Sequence, residues 1–353
     1  MSDGLIRFGF FPGTVPGGGA DPAPIARELE ELGVDALAWG EWPTVRRDPY
    51  TAMARAAFAT TNVLLGTVVT VPGLRHPAVL ANQFMSLQEL SGNRMFCGIG
   101  TGDLSLIQLG KRPYRLGEFT EYAMAVRRLM TGEEVSWDEH PLRMRLEFDG
   151  PAPPVWFAAD GPRTIRAASQ LADGAIVAQV GSPDVVRTTL ARAAAGAAEI
   201  GRSLADFDIW FELRVIVTER ENGAIDIRGL DVYAARQLRY MWRSAGEPSR
   251  EAIVDAIYER KGLQLDPDIA ERLWQFNNGW VDSNAYRGRA NVRLMDELGL
   301  REFASGHFYI SGPPAVVADG MAELIDAGAR NFFLPMLTND SVPALMKILT
   351  ALR

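Results

Sequence analysis

Arg94-Met95-Phe96-Cys97-Gly98-Ile99-Gly100-Thr101-Gly102-Asp103 is the stretch on which the reading of this chain turns. A short apolar run ends in closely spaced glycines and a carboxylate, and a helical pattern resumes at once with Leu104, Ile107 and Leu109. That is a strand-to-helix elbow. Glycine lets a backbone approach another group closely, and Asp103 stands where a helix begins, so this strand end is shaped to face a ligand. From spacing alone the better reading of Asp103 is an N-cap that holds the first amides of its own helix, because a single glycine-rich elbow is a weak signal. The spacing misses G-x-G-x-x-G, so it does not indicate a nicotinamide fold.

Outward from the elbow the same join of helix, glycine and strand recurs. Strands are expected over 6–11, 34–39 and 63–71, with helices opened by Asp21-Pro22, Asp48-Pro49 and His76-Pro77. Beyond the elbow, a small strand pair over 135–146 interrupts the rhythm, which resumes with strands over 155–159, 174–180, 209–218 and 329–335. Residues 234–310 break it again: they read as helices carrying Trp242, Trp274 and Trp280, with no clear strand, an insertion of the length used for lids and interfaces. Eight strands alternating with helices, in a chain with no shift in composition, imply a single α/β domain over 1–353, a (β/α)8 TIM barrel with insertions. Counting alone also allows an open doubly wound sheet.

The chain has 353 residues, 47% of them hydrophobic, and a formal net charge of −8, which argues against a nucleic-acid-binding surface. Its single cysteine, Cys97, lies inside the apolar strand, so no internal disulfide forms. The N-terminal residues lack a basic segment followed by an apolar core, and no apolar run approaches bilayer length. A cytoplasmic protein with no membrane association is expected. No set of His, Cys, Asp and Glu has metal-ligand spacing, and no serine sits in a G-x-S-x-G elbow.

The run Gly98-Ile99-Gly100-Thr101-Gly102-Asp103, followed by Leu109-Gly110-Lys111-Arg112-Pro113 and a helix from Leu116 to Met130, resembles the bacterial luciferase-like superfamily. The likeness spans nearly the whole chain and is greatest to the methylenetetrahydromethanopterin reductase-like branch. It implies a TIM barrel, homodimerisation, a small-molecule substrate, and FMN or the 5-deazaflavin coenzyme F420 as cofactor. It further implies that Gly100, Thr101 and Gly102 line the ring pocket, and that a non-proline cis peptide joins Val68 to Val69 behind the ring. The turn Gly161-Pro162-Arg163-Thr164 would hold the cofactor phosphate together with the loop at Val180 and Gly181. Free amides at a helix start suit that task, and Arg163 and Arg166 add charge. The cluster Lys111-Arg112-Pro113-Tyr114-Arg115 reads as a solvated loop or as a seat for the acidic tail of a deazaflavin.

Many members of the family have an acidic residue followed by histidine after the second strand; this chain has Glu41 followed by Trp42. In the sugar-phosphate dehydrogenase branch that histidine takes the alcohol proton, so alcohol oxidation by the same route is not expected. Trp42 is either a packed rim aromatic or a surface on which substrate stacks. Glu41, Asp103 and Trp42 are the candidate catalytic residues. The dipole of its helix favours the charged form of Asp103 and gives it a positioning role, which leaves Glu41 as the expected general acid. Phe10, Phe11 and His307 are candidate substrate contacts. The expected activity is hydride transfer from reduced F420 to a small organic substrate. An FMN-dependent monooxygenase and a non-catalytic flavin-binding protein are the alternatives; two ionisable groups beside the ring favour an enzyme.

Overall fold

The computed structural model describes residues 5–12, 21–178, 180–218, 231–232, 234–235, 237–238, 249–281, 289–335 and 342–353; the side chains of Asp103, Leu104 and Arg260 lie outside that description. The strands are β1 (Arg7–Phe10), β2 (Ala36–Trp39), β3 (Leu64–Thr67), β4 (Met95–Ile99), β5 (Val135–Trp137), β6 (His140–Leu142), β7 (Val155–Ala158), β8 (Gly174–Val177), β9 (Asp208–Glu212), β10 (Arg214–Val217), β11 (Tyr309–Gly312) and β12 (Asn331–Leu334). Eight of them close into a barrel in the order β1-β12-β9-β8-β7-β4-β3-β2, with every described pairing parallel. The barrel strands follow one another round the ring in chain order, with helices between them on the outside. This is the expected (β/α)8 barrel.

Two expectations about strands need correction. The run over 209–218 is not one strand: Leu213 donates its amide to the Phe333 carbonyl at 3.0 Å, and the chain then leaves the barrel as β10, which pairs in parallel with β11. The segment read as strand-free therefore ends in a strand, because Tyr309 and Ile310 belong to β11. An apolar β-branched run reports burial and is silent about which neighbour does the burying. The run over 63–71 is likewise broken: β3 stops at Thr67, the Val68–Val69 peptide is cis, and pairing resumes with a bridge from Thr70 to Ile99.

Side chains alternate in and out along each strand. The inward set, Phe11, Ala36, Ala38, Phe96, Trp156, Ile176, Trp210 and Phe333, forms its own small cluster, apart from the large core between barrel and helices. Phe96, Trp156, Trp210 and Phe333 stack in sequence with ring centroids 4.3, 5.6 and 4.4 Å apart. Below them Arg7 seals the N-terminal end. It pairs with Asp208, donates to Asn331 Oδ1 at 2.8 Å, and lies 5.1 Å over the Trp210 ring. With this end plugged, a ligand enters from the C-terminal end of the strands.

Four large rings fit only because neighbouring strands yield space. A Cβ on Gly66 would lie 2.3 Å from the Phe96 carbonyl oxygen and 2.5 Å from its ring. Gly66→Ala therefore has no rotamer to escape through and should lower stability by about 1–3 kcal/mol, the usual cost of overpacking, read as a lower denaturant midpoint. An unchanged midpoint would mean that the ring stack is not rigid.

Candidate active site

The mouth is assembled from loops that follow the barrel strands, and the bulge after β3 is its most distinctive wall. The cis peptide Val68–Val69 is held on both sides by backbone: Val68 donates to the Trp39 carbonyl at 3.0 Å, Glu41 donates to the Val69 carbonyl at 3.0 Å, and Thr70 donates to the Gly98 carbonyl at 2.9 Å. Glycines stand on both flanks. A Cβ on Gly40 would lie 3.0 Å from the Val68 carbonyl oxygen, and one on Gly100 2.9 Å from a Val69 methyl. Val68 and Val69 are half-buried and pack on the inner aromatic cluster, so they form an apolar shelf above the floor of the barrel.

Glu41, after β2, sits directly behind that shelf and is only 4% exposed. One carboxylate oxygen accepts from the Thr70 hydroxyl at 2.6 Å, from an Arg75 nitrogen at 3.0 Å and from the Val71 amide at 3.3 Å. The second Arg75 terminal nitrogen donates to the other oxygen. Arg75 also donates to the Tyr50 hydroxyl and lies 4.5 Å over the Tyr50 ring, and the Tyr50 and Thr70 oxygens are 2.7 Å apart. Burial pushes the Tyr50 phenol well above its ordinary range. Every hydrogen bond described for the Glu41 carboxylate comes from a donor within the protein. This geometry suits an anchor better than the general acid expected from the sequence.

The elbow after β4 clamps the same corner. Helix α4 (Asp103–Ile107) starts at Asp103, and Ser105 donates to the Glu41 carbonyl at 2.6 Å. Trp42 donates its indole N–H to Gln108 Oε1 at 2.7 Å, an oxygen that Thr44 also binds. Gln108 was not singled out in the sequence, where a lone polar residue past a helix carries no signal. Gly102 takes a positive φ of 89°, and the Thr101 carbonyl accepts the Tyr114 amide at 2.9 Å. In the basic cluster beyond, two cations are committed elsewhere: Arg112 holds Glu118 through two bonds of 2.7 and 2.6 Å, and Lys111 donates to the Gly73 carbonyl at 3.0 Å.

Across the mouth, helix α6 (Pro162–Leu171) begins at the proposed phosphate turn. The Gly161 amide donates to the Thr164 hydroxyl at 3.1 Å, and Pro162 has no N–H. The amides left for an anion are therefore those of Arg163 and Thr164, beside the exposed Arg163 side chain. Arg166 is not available as expected, because it pairs with Glu199.

Phe10 faces the core between barrel and helices, the opposite way from Phe11, because adjacent strand residues alternate. Phe11 stays at the mouth, stacked on Phe333 at 5.6 Å. Val180 is buried in the outer core and spends its amide on the Glu212 carbonyl at 3.2 Å. Gly181 packs under the helix Arg301–Phe308, where a Cβ would lie 2.7 Å from the His307 backbone. The His307 Nδ1 is 2.7 Å from the Phe303 carbonyl, and burial pushes its pKa down, which favours the uncharged ring.

The structure adds three groups that the sequence reading did not select as site residues. Asp160, after β7, accepts from the Ala178 amide at 2.9 Å. Lys261, from the helix Arg250–Lys261 and only 3% exposed, donates to the Ala178 carbonyl at 2.9 Å and stands 3.9 Å from Asp160. Glu212 ends β9. Among the described residues no cluster suits a metal ion, and no helix is long and apolar enough to cross a membrane. A groove of about 940 Å³ lined by Met85, Leu129 and Met144 lies on the outer wall, away from this mouth.

A closed parallel barrel with a plugged base and an apolar shelf at its open end places the chain among the TIM barrels, and comparison with known proteins gives the family. The family model for luciferase-like monooxygenases matches residues 7–331, so the chain belongs to that family. It is 31% identical over 333 residues to an F420-dependent glucose-6-phosphate dehydrogenase of Nakamurella multipartita, covering 87% of this chain and 93% of the relative. It is 28% identical over 246 residues to a 5,10-methylenetetrahydromethanopterin reductase of Methanolobus tindarius, covering 68% and 71%. In fold it matches the coenzyme F420 dependent tetrahydromethanopterin reductase from Methanopyrus kandleri, with a TM-score of 0.72 at 19% identity over 99% of this chain and 100% of that one.

Removing Arg75 would leave the Glu41 charge buried without its cation. Arg75→Met should cost about 3–5 kcal/mol by chemical denaturation, the scale for breaking a buried pair from one side. A loss below about 1 kcal/mol would show that solvent reaches Glu41.

Proposed function

We propose that this chain is an oxidoreductase that binds coenzyme F420 at the barrel mouth and reduces a small organic substrate at a C=O, C=N or activated C=C bond. The observation that carries the reading is the apolar shelf of Val68 and Val69, set between Gly40 and Gly100 and packed on an aromatic floor. Such a shelf offers an apolar surface to one face of a flat ring. The names of the relatives, F420-dependent among both dehydrogenases and reductases, support the same cofactor. The bound coenzyme would supply a hydride.

The remaining steps belong to the chain. Val68 and Val69 would support the ring, and Gly100, Thr101 and Gly102 would border it. The Arg163 and Thr164 amides, with the Arg163 guanidinium, would receive the phosphate. Glu41 serves as the anchor that ties Thr70 and Val71 to the end of β2, and Trp42, fixed through Gln108, offers an aromatic face to substrate. With tryptophan in place of a histidine base, reduction is favoured over alcohol oxidation. The family resemblance also supports a homodimer in the cytoplasm, where Cys97, fully buried with its thiol pushed up by that burial, is protected from oxidation. A monomer in sedimentation would remove the dimer.

Titration of the purified protein with F420 and with FMN, followed by fluorescence, tests the cofactor. F420 should bind at least tenfold more tightly, and tighter FMN binding would move the chain to the monooxygenase reading. Arg163→Glu should weaken F420 binding at least tenfold and leave the melting temperature unchanged; unchanged affinity would place the phosphate elsewhere.

A further inference from the structure

Hydride addition to a polarised double bond creates an anion that must be protonated, and the position of the donor follows from the barrel's closure. In the ring order, β9 stands four strands from β3 in either direction. The end of β9 therefore lies diametrically across the mouth from the Val68–Val69 shelf. A ring resting on the shelf would turn its free face toward β9, with substrate in the space between. Glu41 follows β2, a neighbour of β3, so it flanks the shelf and does not face it.

Glu212 occupies the facing position. Trp210 belongs to the inward cluster, and Glu212, two residues on along the same strand, points the same way, one layer above the aromatic floor. Its side chain is half-buried, and among the described residues none donates a hydrogen bond to its carboxyl group. The charged groups around it are Arg214 on the following strand, Asp160 after β7, Arg46 after β2 and Lys261 from the helix Arg250–Lys261. Lys261 and Asp160 are already tied to the two backbone groups of Ala178.

We propose that Glu212 is the proton donor of the reaction, resting on the reading that F420 occupies the shelf. As the substrate carbon accepts hydride from the reduced deazaflavin, the electron pair of the double bond moves to the oxygen, nitrogen or distal carbon. The Glu212 carboxylic acid protonates that atom. The deazaflavin is left oxidised, and the Glu212 carboxylate regains its proton from solvent. Burial pushes the Glu212 carboxyl pKa up, with Asp160 adding to the rise and Arg214, Arg46 and Lys261 opposing it, so the acid form persists to higher pH than for an exposed glutamate.

The test uses the whole chain with glutamate 13C-labelled at the carboxyl carbon, with Glu212 assigned by its loss in Glu212→Gln. The Glu212 signal should titrate above the ordinary glutamate value of about 4.3 and shift when oxidised F420 is added. Glu212→Gln should bind F420 with unchanged affinity. With reduced F420 and a panel of enones, ketones and cyclic imines, its kcat should fall about a hundredfold or more on each acceptor the wild type reduces. The wild-type decline of kcat with rising pH should be absent from the variant.

F420 that fails to bind the wild type overturns the cofactor reading and the proposal that rests on it. Bound F420 with a Glu212 signal that titrates in the ordinary range, or is untouched by cofactor, overturns this proposal alone. So does a variant with wild-type kcat. A wild type that binds F420 but reduces none of the three acceptor classes removes the reductive chemistry, and with it any anion for Glu212 to protonate.

Discussion

The buried pairing of Glu41 with Arg75 is the interaction on which the mouth of this barrel depends. After the cis peptide the chain must turn back into register, and it does so by giving the Thr70 hydroxyl and the Val71 amide to the same carboxylate that Arg75 holds. A buried ion pair adds little net stability, because desolvation offsets most of the attraction. Its value here is positional. With both oxygens engaged, the carboxylate has one placement, and the shelf formed by Val68 and Val69 inherits it. Tyr50 closes the network from α2 (Pro49–Ala59), linking the outer helix layer to the position of the shelf.

A second constraint divides the barrel interior. Aromatic rings fill it where aliphatic layers are common, and the Arg7, Asp208 and Asn331 contacts close its lower end. Stacked rings are stiff, and the glycines that admit them leave no slack. The mouth thus rests on a rigid floor, so a flat ligand meets a surface that does not deform beneath it.

Above that floor the charge distribution is uneven. Behind the shelf Glu41, Arg75 and Tyr50 are tied to one another, whereas across the mouth Glu212 has no donor among the described residues. Lys261 and Asp160 hold the Ala178 backbone and brace the loop beside it. One wall is thus fixed by a buried network, and the opposite wall carries the carboxyl group proposed to donate the proton. Such a division needs residues from strands far apart in the chain.

By itself, the sequence determined the eight-strand alternation, the elbow after β4 and, through resemblance, the cis peptide and the family. These are legible because they are local: glycine spacing, capping residues and apolar periods act over a few positions. Tertiary structure alone decided which partners meet. Arg75 reaches Glu41 from 34 positions away, and Lys261 reaches Ala178 from 83. It decided that β10 leaves the barrel for β11, that Phe10 turns away from the mouth while Phe11 stays, and that Glu212 stands opposite the shelf. Periodicity records how deeply a residue is buried. Only closure of the barrel says against what, because the ring order sets which strand ends face one another across the mouth.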